Sequence, residues 1–376
     1  MIDPITLMIL GTGMLVALSG ALVGSFLVLR GQSMAGDAIS HAIVLGIVLA
    51  WMLTGAQSGP VSVIGAALAG VGAVLGAQAL MRSRLLAQDA ATGLVFPAMF
   101  AAGVLLINLN ARNLHLDVDT VLLGEIGFVW LDTVQVFGLE VPQAAVTLAV
   151  VTLIDAIFIA AFWKELRLMA FDPGLAAALG FRPGLLGLAL LVLTAVTAVA
   201  AFEAVGVVLF LAFLIVPAVT GRLVSGGVGA MIGVAVVSGL VAVGIGHWAA
   251  LTWDVSIGGS MALATGLGLV VALAASPRSG LVAARIRRRS VRLEARVAVL
   301  LAHLHAHEST EAEPEECTPA ALIEHLGWSM ARAEAVLIAA QERGVVRREG
   351  NLLHLTEAGR ALAVAEARRT ERAGIR

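Results

Sequence analysis

Residues 185–221 read LLGLALLVLTAVTAVAAFEAVGVVLFLAFLIVPAVTG, an apolar run that contains a single charged residue, Glu203. A helix needs about 20 apolar residues to cross the hydrocarbon core of a bilayer. The run is therefore long enough for two spans, 185–202 and 204–221, which form either a broken helix pair or a re-entrant element. A stretch of this length and composition indicates a membrane protein.

The composition of the whole chain supports this interpretation. Hydrophobic residues make up 59% of the 376 residues and charged residues only 13%, about half the usual charged share. Seven further apolar segments complete an all-α polytopic membrane domain with eight or nine transmembrane helices. These segments lie near 5–29, 37–54, 60–81, 90–109, 143–163, 228–250 and 256–275.

Basic residues predict the orientation of the chain, because loops on the cytoplasmic side of a membrane are enriched in Lys and Arg. Nine alternating spans with the C-terminus inside leave only one basic residue of the membrane domain, Arg112, outside. We therefore expect a multi-pass inner-membrane protein with a cytoplasmic C-terminal region. The basic residues placed in the cytoplasm are Arg30, Arg82, Arg84, Lys164, Arg167, Arg182 and Arg222.

The character of the sequence changes after the membrane domain, which we assign to residues 1–277. A basic juxtamembrane helix and an acidic linker follow at 278–317, and a small winged helix-turn-helix domain at 318–376. Its first helix is expected upstream, at 291–305. The pattern is helix, helix, helix, two-stranded hairpin, helix, which is typical of winged-helix domains.

Local signals support this assignment of the tail. Thr318 and Ser329 are typical N-caps of the two short amphipathic helices, and Gly327 marks the turn between them. A turn at Glu349–Gly350 separates two short strands in VVRREGNLLHL.

The chain carries no recognisable catalytic motif. A phosphate-binding P-loop needs a lysine after a glycine-rich turn, and the only lysine, Lys164, lies in FWKELR. Neither HExxH nor GxSxG occurs. We therefore expect no enzyme activity from this chain alone, and active transport would draw its energy from another chain or from an ion gradient.

Asp37 and His41, in the segment GDAISH, are the first candidate site residues. They are four residues apart, so both side chains lie on one face of a helix. A carboxylate and an imidazole suit Mn²⁺, Zn²⁺ or Fe²⁺, and ionisable groups inside a span are costly and usually functional. The pattern leaves one alternative open, a capping aspartate with a histidine that hydrogen-bonds a neighbouring helix.

The loop LMAFDPGLAAALGFRPG, at 168–184, is the second candidate. Asp172 and Pro173 are typical of a helix start, and Gly180 of a helix C-terminus. A short helix at 175–179, parallel to the membrane, is what a permease presents to a soluble ATPase. An ordinary amphipathic connector fits the pattern equally well.

Other titratable residues are weaker candidates. Glu203, Asp155 and His247 are either groups along a transport pathway or packing groups of the helix bundle. A stretch between the fourth and fifth spans is either a cation-gathering mouth or, as we favour, a solvated acidic loop; it holds His115, Asp117, Asp119 and Glu125. In the tail, an HxHxH tract is either a metal buffer or sensor or, as we favour, a solvated helix end; it holds His303, His305 and His307.

Four segments of the membrane domain resemble the permease family of zinc, manganese and iron ABC importers. They are GDAISHAIVLGIVLA (36–50), DAATGLVFPAMFAAGVLLI (89–107), FDPGLAAALG (171–180) and AVGVVLFLAFLIVPAVTGRL (204–223). The resemblance implies import of a divalent transition metal, manganese in the first place and zinc or iron as alternatives. No permanently bound cofactor is expected.

The resemblance also implies partners and residue roles. The partners are a second permease in a homodimer or heterodimer, a separate ABC ATPase subunit and an extracytoplasmic metal-binding protein. Asp37 and His41 would bind the transported metal, with Glu203 as a further candidate. The segment that couples to the ATPase would comprise Phe171, Asp172, Pro173, Leu175, Ala176, Leu179 and Gly180.

Two features depart from what the resemblance leads us to expect. Glu203 stands where a neutral polar residue is expected. The topology also places Asp37 and His41 near the cytoplasmic end of the second span, shallower than a site in the middle of the membrane. Either Arg30 lies inside the protein at some depth, or the first span ends elsewhere.

The tail resembles the DNA-binding part of the diphtheria-toxin-repressor family of metalloregulators, mainly through LTEAGRALA at 355–363. This makes a membrane-tethered DNA-binding regulator the alternative function. The predicted recognition helix carries only Arg332 and Arg343 beside Glu334 and Glu342, which is a poor surface for phosphates. We therefore expect weak DNA binding at most.

Overall fold

The computed structural model describes residues 3–55, 60–83, 86–110, 125–136, 138–276 and 280–372. The chain divides into two compact units, Met1–Gly280 and Leu281–Arg376. The helices of the first unit are α1 (Pro4–Leu29), α2 (Met34–Thr54), α3 (Pro60–Arg82), α4 (Gln88–Asn110), α5 (Gln143–Ala161), α6 (Trp163–Phe171), α7 (Pro173–Ala178), α8 (Pro183–Val224), α9 (Val228–Trp253) and α10 (Ile257–Ala275).

Eight of these helices, all except α6 and α7, are long and apolar enough to cross a membrane. The predicted apolar segments are therefore confirmed as helices. The first unit also contains a 3₁₀ helix, Ile126–Leu131, and an antiparallel hairpin of β1 (Thr133–Val136) and β2 (Leu139–Pro142). This hairpin corrects the expectation of a purely helical membrane domain. Of the predicted acidic stretch, Glu125 is described, whereas His115, Asp117 and Asp119 lie outside the described residues, as do Arg84 and Arg112.

The long helix α8 contains one residue with non-helical backbone angles, Gly206, at φ 73° and ψ 173°. Such a positive φ is open to glycine and strained for other residues. The rings of Phe202 and Phe210, on either side of it, are only 5.4 Å apart. In an unbroken helix, residues eight positions apart are separated by about 12 Å along the axis. The chain therefore turns back at Gly206.

Contacts of α1 with the two ends of α8 support this reversal. The guanidinium of Arg30 lies against Gly187, near the start of α8. Arg222, near its end, donates a hydrogen bond from Nη1 to the carbonyl oxygen of Val28 at 3.1 Å. Both ends of α8 thus lie at the same end of α1. The predicted pair of spans is a broken helix pair, with its break at Gly206 rather than Glu203, which gives nine apolar segments in the described part of the first unit.

The two halves of α8 pack closely against α1. A β-carbon at Gly24 would overlap the carbonyl oxygen of Leu214. Only a glycine permits this backbone approach, and small residues at helix interfaces commonly serve this purpose in membranes.

We expect Gly24→Leu to destabilise the membrane unit, because the new side chain would overlap the α8 backbone. Overpacking of this kind costs about 1–3 kcal/mol or more. Thermal unfolding in detergent, followed by the loss of monodisperse protein, measures the effect. Gly11→Leu is the matched control on the same helix, because a β-carbon there meets nothing within 4 Å. Equal stability of the two variants would contradict the close approach.

The second unit is built on one long helix, and its elements follow the predicted order. They are α11 (Leu281–His307), the single turn α12 (Glu313–Glu316), α13 (Pro319–Glu324), α14 (Met330–Glu342), β3 (Val346–Glu349), β4 (Leu352–Leu355) and α15 (Glu357–Arg372). The helix expected at 291–305 is longer than predicted at both ends. Its apolar side contributes buried residues to the core of this unit, namely Val297, Leu300, Leu301 and Leu304.

The local signals of the tail are mostly confirmed. Thr318 caps α13, because its Oγ1 accepts a hydrogen bond from the amide of Ala321 at 3.2 Å. Gly350 forms the β3–β4 turn with φ 65°, and Gly327 precedes α14 with φ 61°. Ser329 occupies the N-cap position of α14 but makes no side-chain capping bond.

A bidentate ion pair joins α15 to the end of α11. The Nε of Arg360 donates to both carboxylate oxygens of Glu308 at 3.0 Å, and its Nη2 donates at 2.6 Å. Hydrogen bonds from Arg360 lower the pKa of Glu308 below its usual value. Burial raises the pKa of the Cys317 thiol to about 11, so this cysteine is a neutral core residue at physiological pH.

Candidate functional site

The turn between α1 and α2 packs against α3, α4 and α8. Gly31, Gln32, Met34 and Ala35 line a small pocket together with residues of these three helices. On α3 the lining runs from Val74 to Met81, which is one residue from the end of that helix. The turn therefore packs along about the last two turns of α3.

Arg30, which precedes this turn, is partly buried near the start of α8. Its guanidinium packs on Gly187 and donates a weak hydrogen bond to the sulfur of Met169 at 3.9 Å. The first span ends at Leu29, as predicted, so the second explanation for the shallow placement of Asp37 and His41 does not hold. Arg30 is partly enclosed by α6 and α8, where it meets Gly187, four residues from the start of α8.

Close packing holds the start of α2 against α8. A β-carbon at Gly36 would overlap the side chain of Leu214 and press on that of Leu211. The next residue is Asp37, so the start of α2 lies level with the middle of the second half of α8. His41 packs edge-on against Phe100, at a ring-centroid distance of 5.6 Å. Phe100 is itself near the middle of α4, so the pair lies at mid-depth in the bundle.

Asp37 and His41 form a pair on one face of α2, as predicted. The distance from Nε2 of His41 to Oδ1 of Asp37 is 3.9 Å. The two side chains are about half exposed, at 50% for His41 and 48% for Asp37. Asp37 is not the N-cap of α2, a position held by Ser33, and within the described residues His41 makes no hydrogen bond to another helix.

This geometry can hold one cation between two side chains. Metal–ligand distances of about 2.0–2.2 Å to imidazole and carboxylate require only a small rotation of either group from the observed separation. Two ligands do not complete the coordination of a divalent ion, so water or a second chain has to supply the others. A carboxylate with an imidazole favours borderline transition metals over Mg²⁺ and Ca²⁺, which prefer oxygen alone.

The other candidate residues lie apart from this pair. Glu203 is exposed on α8, three residues before the turn at Gly206, and in the described part of the chain no ion pair or hydrogen bond joins it to Asp37 or His41. The turn lines a cavity of about 360 Å³ with Glu125–Phe128 and Val255–Gly259.

Asp155 and His247 are buried between helices. The hydroxyl of Thr197 donates to Oδ2 of Asp155 at 2.8 Å, which links α5 to α8. The other oxygen of Asp155 and both ring nitrogens of His247 have no hydrogen-bond partner among the described residues. Neither the contact of Phe100 with His41 nor the bond from Thr197 was predicted, since sequence spacing carries no information about pairs on different helices.

The segment from Phe171 to Gly180 contains the short helix α7. Oδ1 of Asp172 accepts a hydrogen bond from the amide of Leu175 at 2.9 Å, and Pro173 occupies the first turn. Gly180 follows the helix with φ 88°. The start is therefore as predicted, while the helix itself runs from Pro173 to Ala178 instead of 175–179.

One face of α7 is buried, while the other face and the residues that flank the helix expose apolar side chains. Ala176 is 1% exposed, whereas Phe171, Leu175 and Leu179 are 69%, 48% and 61% exposed. Exposed apolar residues on a short, capped helix are suited to contact with another protein.

Residues 3–276 match the model of the ABC 3 transport family. Over 350 residues the chain is 40% identical to the zinc transport system membrane protein TroD of Treponema pallidum, which covers 93% of this chain and 95% of that protein. Over 288 residues it is 39% identical to the manganese transport system membrane protein MntD of Bacillus subtilis, which covers 76% and 97%.

The fold is also similar to solved structures. The complex of PsaBC from Streptococcus pneumoniae with Fab matches with a TM-score of 0.62 at 27% identity, over 74% of this chain and 94% of the matched chain. A putative metal-chelate type ABC transporter in an inward-facing conformation matches in fold alone, with a TM-score of 0.53 at 16% identity. The family match covers nearly all of the membrane unit, so this chain belongs to the ABC 3 transport family of membrane proteins.

Proposed function

We propose that the chain is the permease subunit of an ABC importer for a divalent transition metal, with Asp37 and His41 as ligands for the ion in transit. The observation that carries this proposal is the half-exposed carboxylate–imidazole pair at mid-depth in a bundle of apolar helices. Relatives named for zinc, manganese and iron transport support the class of cargo. Manganese stays the first candidate, with zinc and iron as alternatives.

A second permease would cover the exposed side of the pair. An aspartate at the centre of a lipid-facing helix costs about 2.5–3.5 kcal/mol on insertion scales. Asp37 therefore has to face protein or water rather than lipid. A homodimer or heterodimer with the pair at its interface satisfies this requirement, and the likeness to PsaBC supports an assembly of this kind.

We expect Asp37→Asn and His41→Ala to reduce metal uptake at least roughly tenfold each, equivalent to about 1.4 kcal/mol in the rate-limiting barrier. The first variant keeps the shape and removes the charge, whereas the second removes the imidazole nitrogen. Because both residues act on one ion, the double variant should lose less than the product of the two effects. Radiotracer uptake of Mn²⁺ and Zn²⁺ in cells is the measurement.

Asp254→Asn is the control for the charge change. Asp254 is exposed at the end of α9 with φ 52°, a conformation that asparagine also adopts readily. Uptake in this variant should match the parent. Normal uptake in His41→Ala, at normal expression, would place the pathway along another face.

The exposed apolar side of α7 would dock on a separate ABC ATPase subunit. Asp172 and Gly180 fix the two ends of the helix, and Ala176 anchors its inner face. The chain then needs no P-loop of its own, and Phe171, Leu175 and Leu179 would transmit the movement of the ATPase. An extracytoplasmic metal-binding protein would deliver the ion at the opposite end.

We expect Leu175→Asp to abolish uptake and the stimulation of ATP hydrolysis without lowering the amount of permease in the membrane. A charge on the docking face would oppose contact with the ATPase, and Leu175→Ala should have a smaller effect. Leu362→Asp introduces the same charge at an exposed leucine of the tail and serves as the control. Parental ATPase stimulation by Leu175→Asp would mean that the contact lies elsewhere.

The tail would form a cytoplasmic winged-helix domain. It would regulate transport or dock on another protein, and it would not bind an operator tightly. The order of its helices and its hairpin supports the winged-helix assignment. The match to TroD covers more of the chain than the membrane unit contains, which supports a shared architecture in the tail. Glu334 and Glu342 on α14 oppose tight phosphate contact.

The full chain in lipid nanodiscs should bind duplex DNA weakly at physiological salt, near the level of about 10⁻⁴–10⁻⁶ M for non-specific binding. Fluorescence anisotropy with fragments of the upstream genomic region measures this affinity. Binding at least roughly a thousandfold tighter to one fragment, which is the scale of sequence-specific recognition, would favour the membrane-tethered regulator instead.

A further inference from the structure

The last turns of α11 place two histidines on one face. His303 and His307 are four residues apart, and their ring centroids are 4.9 Å from each other. His305, between them in sequence, is exposed on a different face. The HxHxH tract therefore does not act as a linear chelator, because the helix separates its central histidine from the other two.

A carboxylate from a separate segment approaches this pair. Oε2 of Glu316, in the single turn α12, lies 3.6 Å from Nε2 of His303. Nε2 of His303 also donates to the backbone oxygen of Glu316 at 3.1 Å. One ligand atom from each of His303, His307 and Glu316 can be chosen so that all three lie within 4.8 Å of one another.

The carboxylate and the first histidine are held in place from several sides. His325 donates a hydrogen bond from Nδ1 to Oε2 of Glu316, and an outer partner of this kind orients a metal ligand. The side chains of His303 and Glu316 are only 10% and 20% exposed. The residue after Glu316, Cys317, is part of the core, and its carbonyl oxygen accepts a hydrogen bond from the amide of Leu353 at 2.8 Å.

We propose that His303, His307 and Glu316 form a binding site for a divalent transition metal of the zinc class, separate from the Asp37–His41 pair. Two imidazoles and one carboxylate, with water as a fourth ligand, are a suitable donor set for tetrahedral Zn²⁺ or Co²⁺. Most of the ordering is present before the metal arrives, because the core residues of α11 and Cys317 fix both ligand-bearing segments. Binding of the metal connects the end of α11 to α12.

The simplest alternative is a solvated helix end, in which the histidines and Glu316 only hydrogen-bond one another. That arrangement does not account for the low exposure of both His303 and the carboxylate that faces it. A solvated helix end would show no specific binding of Co²⁺ or Zn²⁺, so a metal titration distinguishes the two interpretations.

The test is a titration with Co²⁺, whose visible absorption reports imidazole coordination, on the purified full chain carrying Asp37→Asn and His41→Ala. In this background the proposed transport ligands are absent. We expect about one Co²⁺ per chain, displaced by Zn²⁺ and not by Mg²⁺. His303→Ala and His307→Ala should each weaken the apparent affinity at least roughly tenfold, on the scale that loss of a supporting group alone produces.

Two further variants make the result specific. Glu316→Gln keeps the shape of the side chain and removes its charge, so it should weaken Co²⁺ binding without loss of folding, as judged by gel filtration and circular dichroism. His305→Ala removes an equally basic histidine from the same tract and should bind as the parent does. No Co²⁺ binding in the parent, or equal loss in His305→Ala, would overturn the proposal.

The outcome is independent of the proposed transport pathway. If uptake is normal in Asp37→Asn and His41→Ala, the transport ligands are wrong, but Co²⁺ binding at His303, His307 and Glu316 is unaffected. If Co²⁺ binding is absent while those variants abolish uptake, the tail site is wrong and the pathway stands.

Discussion

At Gly24 the backbone of α1 lies directly against that of α8, with no room for a β-carbon beside the carbonyl oxygen of Leu214. The position of the candidate site follows from this contact. It holds the second half of α8 in the centre of the bundle, and Leu214 in turn meets Gly36 at the start of α2. Asp37 and His41 therefore lie at mid-depth in the helix bundle.

Local features of the fold could be predicted from the sequence because neighbouring residues determine them. The length of the apolar segments predicted the spans. The helix caps at Asp172 and Thr318 could be predicted because each side chain accepts a hydrogen bond from the amide three residues later. The partial burial of Arg30 and the reversal at Gly206 could not be predicted in this way. A basic residue usually marks a surface, and here contact with Gly187 encloses part of the side chain. The apolar run 185–221 contains Gly187, Gly206 and Gly221, and the sequence does not reveal which of the three adopts a positive φ.

The two candidate metal sites differ in what the chain supplies. Asp37 and His41 offer two ligands, half exposed, so an ion bound there would be held incompletely and could leave again. In the tail, His303, His307 and Glu316 offer three ligands with much lower exposure of two of them. A metal bound there would be retained for longer, because more protein ligands and less water slow its dissociation.

The charges of the tail bear on what this unit contacts. Among the described residues, three of its arginines are paired with carboxylates within the unit, and at those positions a phosphate backbone would have to compete with carboxylates already in place. The hairpin, by contrast, is tied to the metal-binding segment through the bond from Leu353 to Cys317, one residue from Glu316. A metal held at Glu316 would therefore act close to the hairpin. The ion pairs that occupy basic residues are Arg343–Glu294, Arg347–Glu349 and Arg360–Glu308.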